Sequence, residues 1–176
     1  MTGHDQTGVV IYPSSSGPEI LVGHSNFESS GEEVSYIQGY RVEDNTLIET
    51  DRIETNLSSV GSLCMGDIDG DGDLDLFAGG RTIPGRYPEP ASSLLFINEG
   101  DDFVPDVKNN SMLEELGLVT GALFSDIDTD GDADLVLARE WGPAVSYTHL
   151  RAHETPEHRG WRVVGVKKKG WGGGGG

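Results

Sequence analysis

The sequence is poor in residues that several common kinds of site require. It contains one cysteine, Cys64, so its residues can form neither an internal disulfide nor a zinc site made of thiolates. Cys64 stands in the apolar stretch SLCM and is predicted to be a small buried side chain. No apolar run approaches the roughly 20 residues of a membrane-spanning helix. Aromatic residues make up only 7% of the chain, which predicts a modest core.

Basic residues are also scarce. Lys and Arg total 12 against 30 Asp and Glu, which gives a formal net charge of −18. The resulting field repels nucleic acids and anionic membrane surfaces, so neither is an expected partner, whereas divalent cations are compatible. The opening residues MTGHDQTGVVIYP have no basic or apolar region typical of a signal peptide. We give this little weight, because we expect the chain to be a fragment cut at both ends.

Residues 145–176 differ from the rest of the chain. They are basic and end in five glycines, and VSYTHLRAHET resembles the translation of a sequencing adapter. We therefore expect 145–176 to be a non-native, disordered tail. Two other interpretations are a flexible basic arm and a metal-binding cluster of His149, His153 and His158.

An aspartate-rich segment occurs twice. DIDGDGDLDL begins at Asp67 and DIDTDGDADL begins at Asp126, and eight of the ten positions are identical. Short apolar strands are predicted on both sides of each segment, SLCMG and FAGG around the first and ALFS and VLAR around the second. A third segment, PEILVGHSN at 18–26, is weakly similar to the strand that follows the first aspartate segment. The residues before it are SSSG where the repeats have aspartates. The repeat length is therefore near 60 residues.

The segments between the repeats read as hairpins. One is VSYIQGYRVEDNTLIET, with a turn at Asp44 and Asn45, and another is SLLFINEGDDFVPDV; a single helical turn is predicted at SMLEELG. About four strands per repeat predict an all-β fold, a partial β-propeller of about two to two and a half blades. A β-sandwich with two ion-binding loops is the alternative. The predicted units are a truncated edge at 1–14, a degenerate blade at 15–59, a full repeat at 60–118, and the start of another at 119–144.

The spacing D-x-D-x-D-G-x-x-D indicates a metal site. Four side chains and one backbone carbonyl converge on one point, and glycine permits the sharp turn at position 6. Carboxylate oxygens without His or Cys favour Ca²⁺ over transition metals. The predicted ligands are Asp67, Asp69, Asp71, Asp73 (by its carbonyl) and Asp75 in the first loop, and Asp126, Asp128, Asp130, Asp132 (by its carbonyl) and Asp134 in the second.

The EF-hand and dockerin patterns match these loops less well. An EF-hand needs a glutamate at position 12 and flanking helices, but Ala78 and Leu137 stand there and the flanks read as strands. Dockerin modules have a shorter period and a following helix. A solvated acidic turn without an ion is the remaining alternative. Crowded carboxylates would then raise one another's pKa with nothing to offset the repulsion.

Residues 15–143 resemble the FG-GAP/VCBS repeats of integrin-alpha-like β-propellers. The resemblance lies in a strand, the motif D-h-D-x-D-G-D-x-D-h and a second strand, repeated with a period near 60 residues. The insertion GGRTIPGRYPEP is similar to bacterial secreted members, some of which carry an ASPIC/UnbV domain. The resemblance implies Ca²⁺ in each aspartate loop. It also implies an extracellular or cell-surface scaffold for adhesion or ligand binding.

The expected function is a calcium-stabilised extracellular scaffold that binds a protein or glycan. Arg81, Arg86 and Tyr87 are the candidate contact residues, because arginine and tyrosine are common interface anchors; a loop that packs only on its own blade is the alternative. No nucleophile, zincin or phosphate-loop motif is present, so we expect no enzyme activity. The alternative is a non-catalytic propeller within a secreted enzyme. A calcium sensor is disfavoured, because strands flank both loops.

Overall fold

The computed structural model describes residues 5–27, 33–148 and 150. This part of the chain is all-β apart from one short helix, as predicted. In chain order the elements are β1 (Asp5–Ser14), β2 (Gly17–Ser25), β3 (Tyr36–Glu43), β4 (Thr46–Glu54), β5 (Ser59–Gly66), β6 (Asp75–Thr82), β7 (Leu94–Glu99), β8 (Asp102–Pro105), α1 (Val107–Leu113), β9 (Leu118–Ser125), β10 (Asp134–Glu140) and β11 (Val145–Tyr147). Within these residues no helix has the length and apolar character needed to cross a membrane.

The strands form three antiparallel sheets, each built from strands consecutive in the chain. The first sheet has the order β1-β2-β3-β4, the second β5-β6-β7-β8 and the third β9-β10-β11. The first strands of the sheets are neighbours, since β5 contacts both β1 and β9. The sheets therefore follow one another in space in the order of the sequence.

A separate hydrophobic core fills each of the two spaces between neighbouring sheets. The core between the first two sheets includes Leu21, Ile37, Leu76 and Phe96. The core between the second and third sheets consists of Cys64, Ile68, Phe77, Leu95, Leu113, Val119, Leu135, Leu137, Val145, Tyr147 and Leu150. Each sheet is thus stabilised by burying apolar side chains against the next one.

The same kind of close contact, glycine against valine, occurs in both spaces. A Cβ atom added at Gly23 on β2 would lie 2.5 Å from Cγ1 of Val60 on the second sheet. A Cβ atom at Gly79 on β6 would lie 2.9 Å from Cγ1 of Val119 on the third sheet. Glycine is required at both places because the next sheet approaches too closely for a side chain. The sheet packing therefore repeats with the sequence.

Both predicted hairpins form. Asp44 and Asn45 have φ of 47° and 63° and join β3 to β4, and Gly100 and Asp101 join β7 to β8 with φ of 68° and 78°. These left-handed values suit the tight turns of antiparallel hairpins.

The predicted helical turn at SMLEELG is displaced toward the N terminus. The helix spans Val107–Leu113, and the carboxylate of Asp106 accepts hydrogen bonds from the backbone N–H groups of Lys108 and Asn109. This N-cap starts the helix before the predicted segment. Glu114 is already extended, so only the first part of SMLEELG is helical.

Two sheet boundaries also differ from the predicted units. Strand β1 belongs to the same sheet as β2–β4, so the first sheet begins before residue 15. Val145–Tyr147 pairs with β10 and is buried, so the expected disorder does not apply to these residues. A short apolar stretch pairs readily with an open strand edge. Residues 149 and 151–176, with the three tail histidines, lie outside the described residues.

Candidate metal centres

The first aspartate loop, residues 67–74, joins β5 to β6. Asp67 Oδ1 accepts from the N–H of Gly70 at 2.7 Å, and its Oδ2 accepts from the N–H of Gly72 at 3.1 Å. Asp71 Oδ1 accepts from the N–H of Asp73 at 2.9 Å. Gly72 has φ of 100°, which only glycine adopts at low cost. The side chains therefore curl the backbone into a compact loop.

The second loop, residues 126–133, joins β9 to β10 and repeats two of these bonds. Asp126 Oδ2 accepts from the N–H of Gly131 at 3.1 Å. Asp130 Oδ1 accepts from the N–H of Asp132 at 3.0 Å. Gly131 has φ of 96°, close to the value of Gly72. Identical spacing thus produces the same backbone geometry at equivalent places in two sheets.

Each loop brings three carboxylates together. One oxygen from each of Asp67, Asp69 and Asp71 lies within 4.8 Å of the others, and the same holds for Asp126, Asp128 and Asp130. Burial raises the pKa of Asp69, and its acidic neighbours Asp71 and Asp67 raise it further. Three hard oxygens at this spacing could hold a divalent cation, and a cation there would remove the repulsion.

The ninth position of each loop, a predicted metal ligand, is buried and hydrogen-bonded to the backbone. Asp75 and Asp134 are each only 1% exposed. Asp75 Oδ2 accepts from the N–H of Ile68 at 2.7 Å, and its Oδ1 accepts from the N–H of Asn98 at 2.9 Å. Asp134 Oδ2 accepts from the N–H of Ile127 at 2.8 Å. These carboxylates fasten the start of the loop to the following strand and lie outside the three-oxygen clusters.

Burial raises the pKa of both ninth-position carboxyl groups above the ordinary value. The backbone N–H donors act against burial by stabilising the charged form. The clusters consist of side-chain oxygens, so the backbone carbonyls of Asp73 and Asp132 stay predicted ligands. The structure therefore groups six of the ten predicted ligands.

The candidate contact residues lie at the end of β6 opposite the aspartates: Arg81 is in β6, and Arg86 and Tyr87 are in the loop that follows it. Arg81 Nη1 donates to Glu140 Oε2 on the third sheet at 2.7 Å, so it ties neighbouring sheets together. Arg86 pairs with Glu89 in its own loop. The Tyr87 ring remains exposed, and its hydroxyl accepts from Trp141 Nε1 at 3.3 Å. Trp141 is 83% exposed and completes an aromatic pair that the sequence did not indicate.

Cys64 is buried, as predicted. Desolvation raises the pKa of its thiol to about 12, so the reactive thiolate is strongly disfavoured at neutral pH.

The sequence has no match among models of known protein families, and the search of curated proteins finds none either.

Proposed function

We propose that the chain is part of a calcium-stabilised extracellular β-propeller, of the FG-GAP/VCBS kind, that serves as a non-catalytic scaffold for binding a protein or glycan. The observation that carries this proposal is the equivalence of the two aspartate loops. Both join the first two strands of a sheet, both use the same carboxylate-to-backbone bonds, and both gather three carboxylates. A chance acidic turn has no reason to recur in this form.

The arrangement of the sheets supports a propeller. Their first strands lie side by side, and the glycine-to-valine contact repeats between them. Apolar side chains also remain exposed beyond the two cores, including Val9 and Ile11 on the first sheet and Leu123 on the third. Such side chains are expected where further sheets pack on either side.

Calcium would have a structural task in this scaffold. Each ion would neutralise three carboxylates and fix the connection between two strands. Extracellular modules bind Ca²⁺ with dissociation constants of about 10⁻⁴ to 10⁻³ M, which suits external calcium levels. At ten times the dissociation constant, one ion stabilises the folded state by about 1.4 kcal/mol, so two loops give about 3 kcal/mol.

The face opposite the calcium loops would make the contact with a protein or glycan. Tyr87 and Trp141 form an exposed aromatic pair, and Glu140 bonds to Arg81 beside them. Aromatic and arginine side chains supply much of the energy of protein interfaces. Because Arg81 joins two sheets, its replacement would disturb packing; Tyr87 and Trp141 are the better residues to test.

A calcium titration followed by thermal unfolding tests the proposal. We expect Tm to rise by about 6–12 °C at saturating millimolar Ca²⁺, given about 2–4 °C per kcal/mol for a chain of this size. The Asp69→Ala, Asp128→Ala double variant should lose most of this rise. Asp5→Ala, Asp51→Ala, which removes two exposed acids outside the loops, is the matched control. An unchanged Tm in the parent chain would refute the structural role of calcium.

A further inference from the structure

A cleft of about 370 Å³ lies between the first sheet and the β7–β8 hairpin of the second. Pockets that hold small ligands have volumes of roughly 300–1,000 Å³. Both walls belong to complete four-stranded sheets, so the cleft does not depend on the third sheet.

The inner surface of the cleft is apolar and aromatic. Leu21 and Phe96 are buried at its base. The rings of Tyr12 and Phe103 meet edge to face, with centroids 5.1 Å apart and planes at 66°. Packing holds these side chains in place, so the surface is formed before any ligand arrives.

Polar groups of both signs line one wall. The Arg41 guanidinium forms an ion pair with Glu19 through Nη2, and Thr50 Oγ1 donates to Glu19 Oε2 at 3.1 Å. Arg41 Nε is buried and has no hydrogen-bond partner within the described residues. The wall therefore offers donors and acceptors whose charges already balance.

A hydrogen-bond network around Asp101 lines one part of the cleft. Tyr12 Oη and the Ser15 hydroxyl both donate to Asp101, and the Ser15 N–H donates to Asp101 Oδ2 at 3.1 Å. Asn98 Nδ2 donates to the Tyr12 oxygen at 3.1 Å. Burial, followed by the bond to Asp101, raises the pKa of Tyr12 to about 12, so its hydroxyl stays neutral.

We propose that this cleft binds a neutral pyranose residue of a glycan. Sugar hydroxyl groups both donate and accept, so adjacent hydroxyls can bond to the Arg41–Glu19 pair. The apolar C–H face of the ring can pack on the half-buried ring of Phe103, which the buried Tyr12 ring holds in place. This inference goes beyond the proposed function, whose contact face lies at Tyr87 and Trp141, by naming a second site and its ligand class; the cleft contains none of the predicted calcium ligands.

The charges around the cleft favour a neutral ligand over a charged one. Asp51, Glu54 and Asp102 line the cleft with exposed side chains, against one exposed base, Arg52, and the chain as a whole is acidic, so an anion is repelled. A cation would gain little from the inner wall, because Glu19 is already paired with Arg41.

The test is a ¹H–¹⁵N NMR titration of the full chain with free glucose, galactose, mannose, fucose, xylose and the N-acetylhexosamines. We expect at least one sugar to shift the signals of Glu19, Arg41 and Phe103 with a millimolar dissociation constant. Arg41→Gln should weaken binding about tenfold, through loss of hydrogen bonds from a charged donor. Lys108→Gln, which removes a positive charge from an exposed side chain outside the cleft, should bind as the parent does.

Phe103→Leu provides a second variant that keeps apolar bulk and removes the ring. It should also weaken binding, and the rest of its spectrum reports whether the fold is retained. The proposal is overturned if no sugar shifts the cleft signals, if the shifts map to Tyr87 and Trp141 instead, or if oligolysine occupies the cleft and no sugar does. Affinities unchanged in both folded variants would overturn it as well.

Running the titration in both Ca²⁺ and EDTA separates the two proposals. Sugar binding without calcium-dependent stabilisation would refute only the calcium scaffold. Stabilisation by calcium without sugar binding would refute only the cleft.

Discussion

The two aspartate loops share two internal hydrogen bonds and a left-handed glycine at position 6, but they have different surroundings. Ile68, the second residue of the first loop, is 2% exposed and belongs to the core between the second and third sheets. Ile127 holds the same position in the second loop and is 46% exposed. The difference arises because the third sheet covers the first loop, whereas no described sheet covers the second.

This comparison separates two sources of order in a repeated structure. The sequence of a loop determines its backbone turns, since both loops form them in different surroundings. The following sheet determines how deeply the loop is buried. Two loops of nearly equal sequence are therefore not equally stable. A loop that no following sheet covers, such as 126–133, should depend more on a bound ion for its stability.

Removing the buried isoleucine should have the largest effect. Ile68→Ala should lower the free energy of unfolding by about 2–5 kcal/mol, because it leaves a cavity between two sheets. Ile127→Ala, the matched change, should cost less than about 0.5 kcal/mol. Urea unfolding of both variants in Ca²⁺ measures the difference. Equal costs would contradict the view that the third sheet stabilises the first loop.

A methyl group at the sheet contact should have the next largest effect. Gly79→Ala places a Cβ atom 2.9 Å from Val119 and should destabilise the chain by about 1–3 kcal/mol. Gly121→Ala is the control, because its nearest neighbour would be Ala138 Cβ at 3.8 Å. Thermal unfolding compares them, and a Gly79→Ala variant as stable as the control would show that the sheets separate easily.

The two loops should also differ in calcium affinity. The first loop is held in place by Ile68, so less ordering opposes binding, and we expect it to saturate at several-fold lower Ca²⁺ than the second. The amide signals of Gly72 and Gly131 report each loop separately in an NMR titration. A lower midpoint for the second loop than for the first would contradict the view that burial of Ile68 raises calcium affinity.

The smallest expected effect is on pH dependence. Burial raises the pKa of Asp75 and Asp134, so in EDTA their stabilising contribution is complete below the ordinary value near 3.8 and is lost as the pH rises through the raised pKa. Calcium needs ionised carboxylates and acts in the opposite direction. The gain in Tm from Ca²⁺ should therefore shrink between about pH 7 and pH 4. A gain that stays constant with pH would exclude linkage between calcium binding and ionisation of the clustered carboxylates.

The features that could be predicted from the sequence are those determined by local spacing. Alternating aspartates with glycine at position 6 predicted the turns now seen at Gly72 and Gly131, and Asp44 and Asn45 predicted a hairpin. The helix begins before the predicted segment SMLEELG because Asp106 caps its N terminus. Propensity in SMLEELG was a weaker signal than the N-cap that precedes it.

Features that depend on distant parts of the chain could not be read from spacing. Asp75 fits a metal-ligand pattern, yet its oxygens bond to backbone groups, one of them on β7. The sequence did not indicate a role for Trp141, because its partner Tyr87 lies 54 residues earlier, in the connection between β6 and β7. The cleft combines Tyr12, Arg41 and Phe103, which no sequence pattern relates.

The apolar side chains left exposed at both ends of the stack have a consequence for assembly. Each sheet packs against the preceding sheet with one face and against the following sheet with the other. The interface is therefore heterologous, and nothing in it limits the number of units. Such interfaces close into a ring only when the rotation per unit divides a full circle, and otherwise they extend as a filament. In a ring of such sheets, the angle between neighbours, more than any single contact, would determine the number of units.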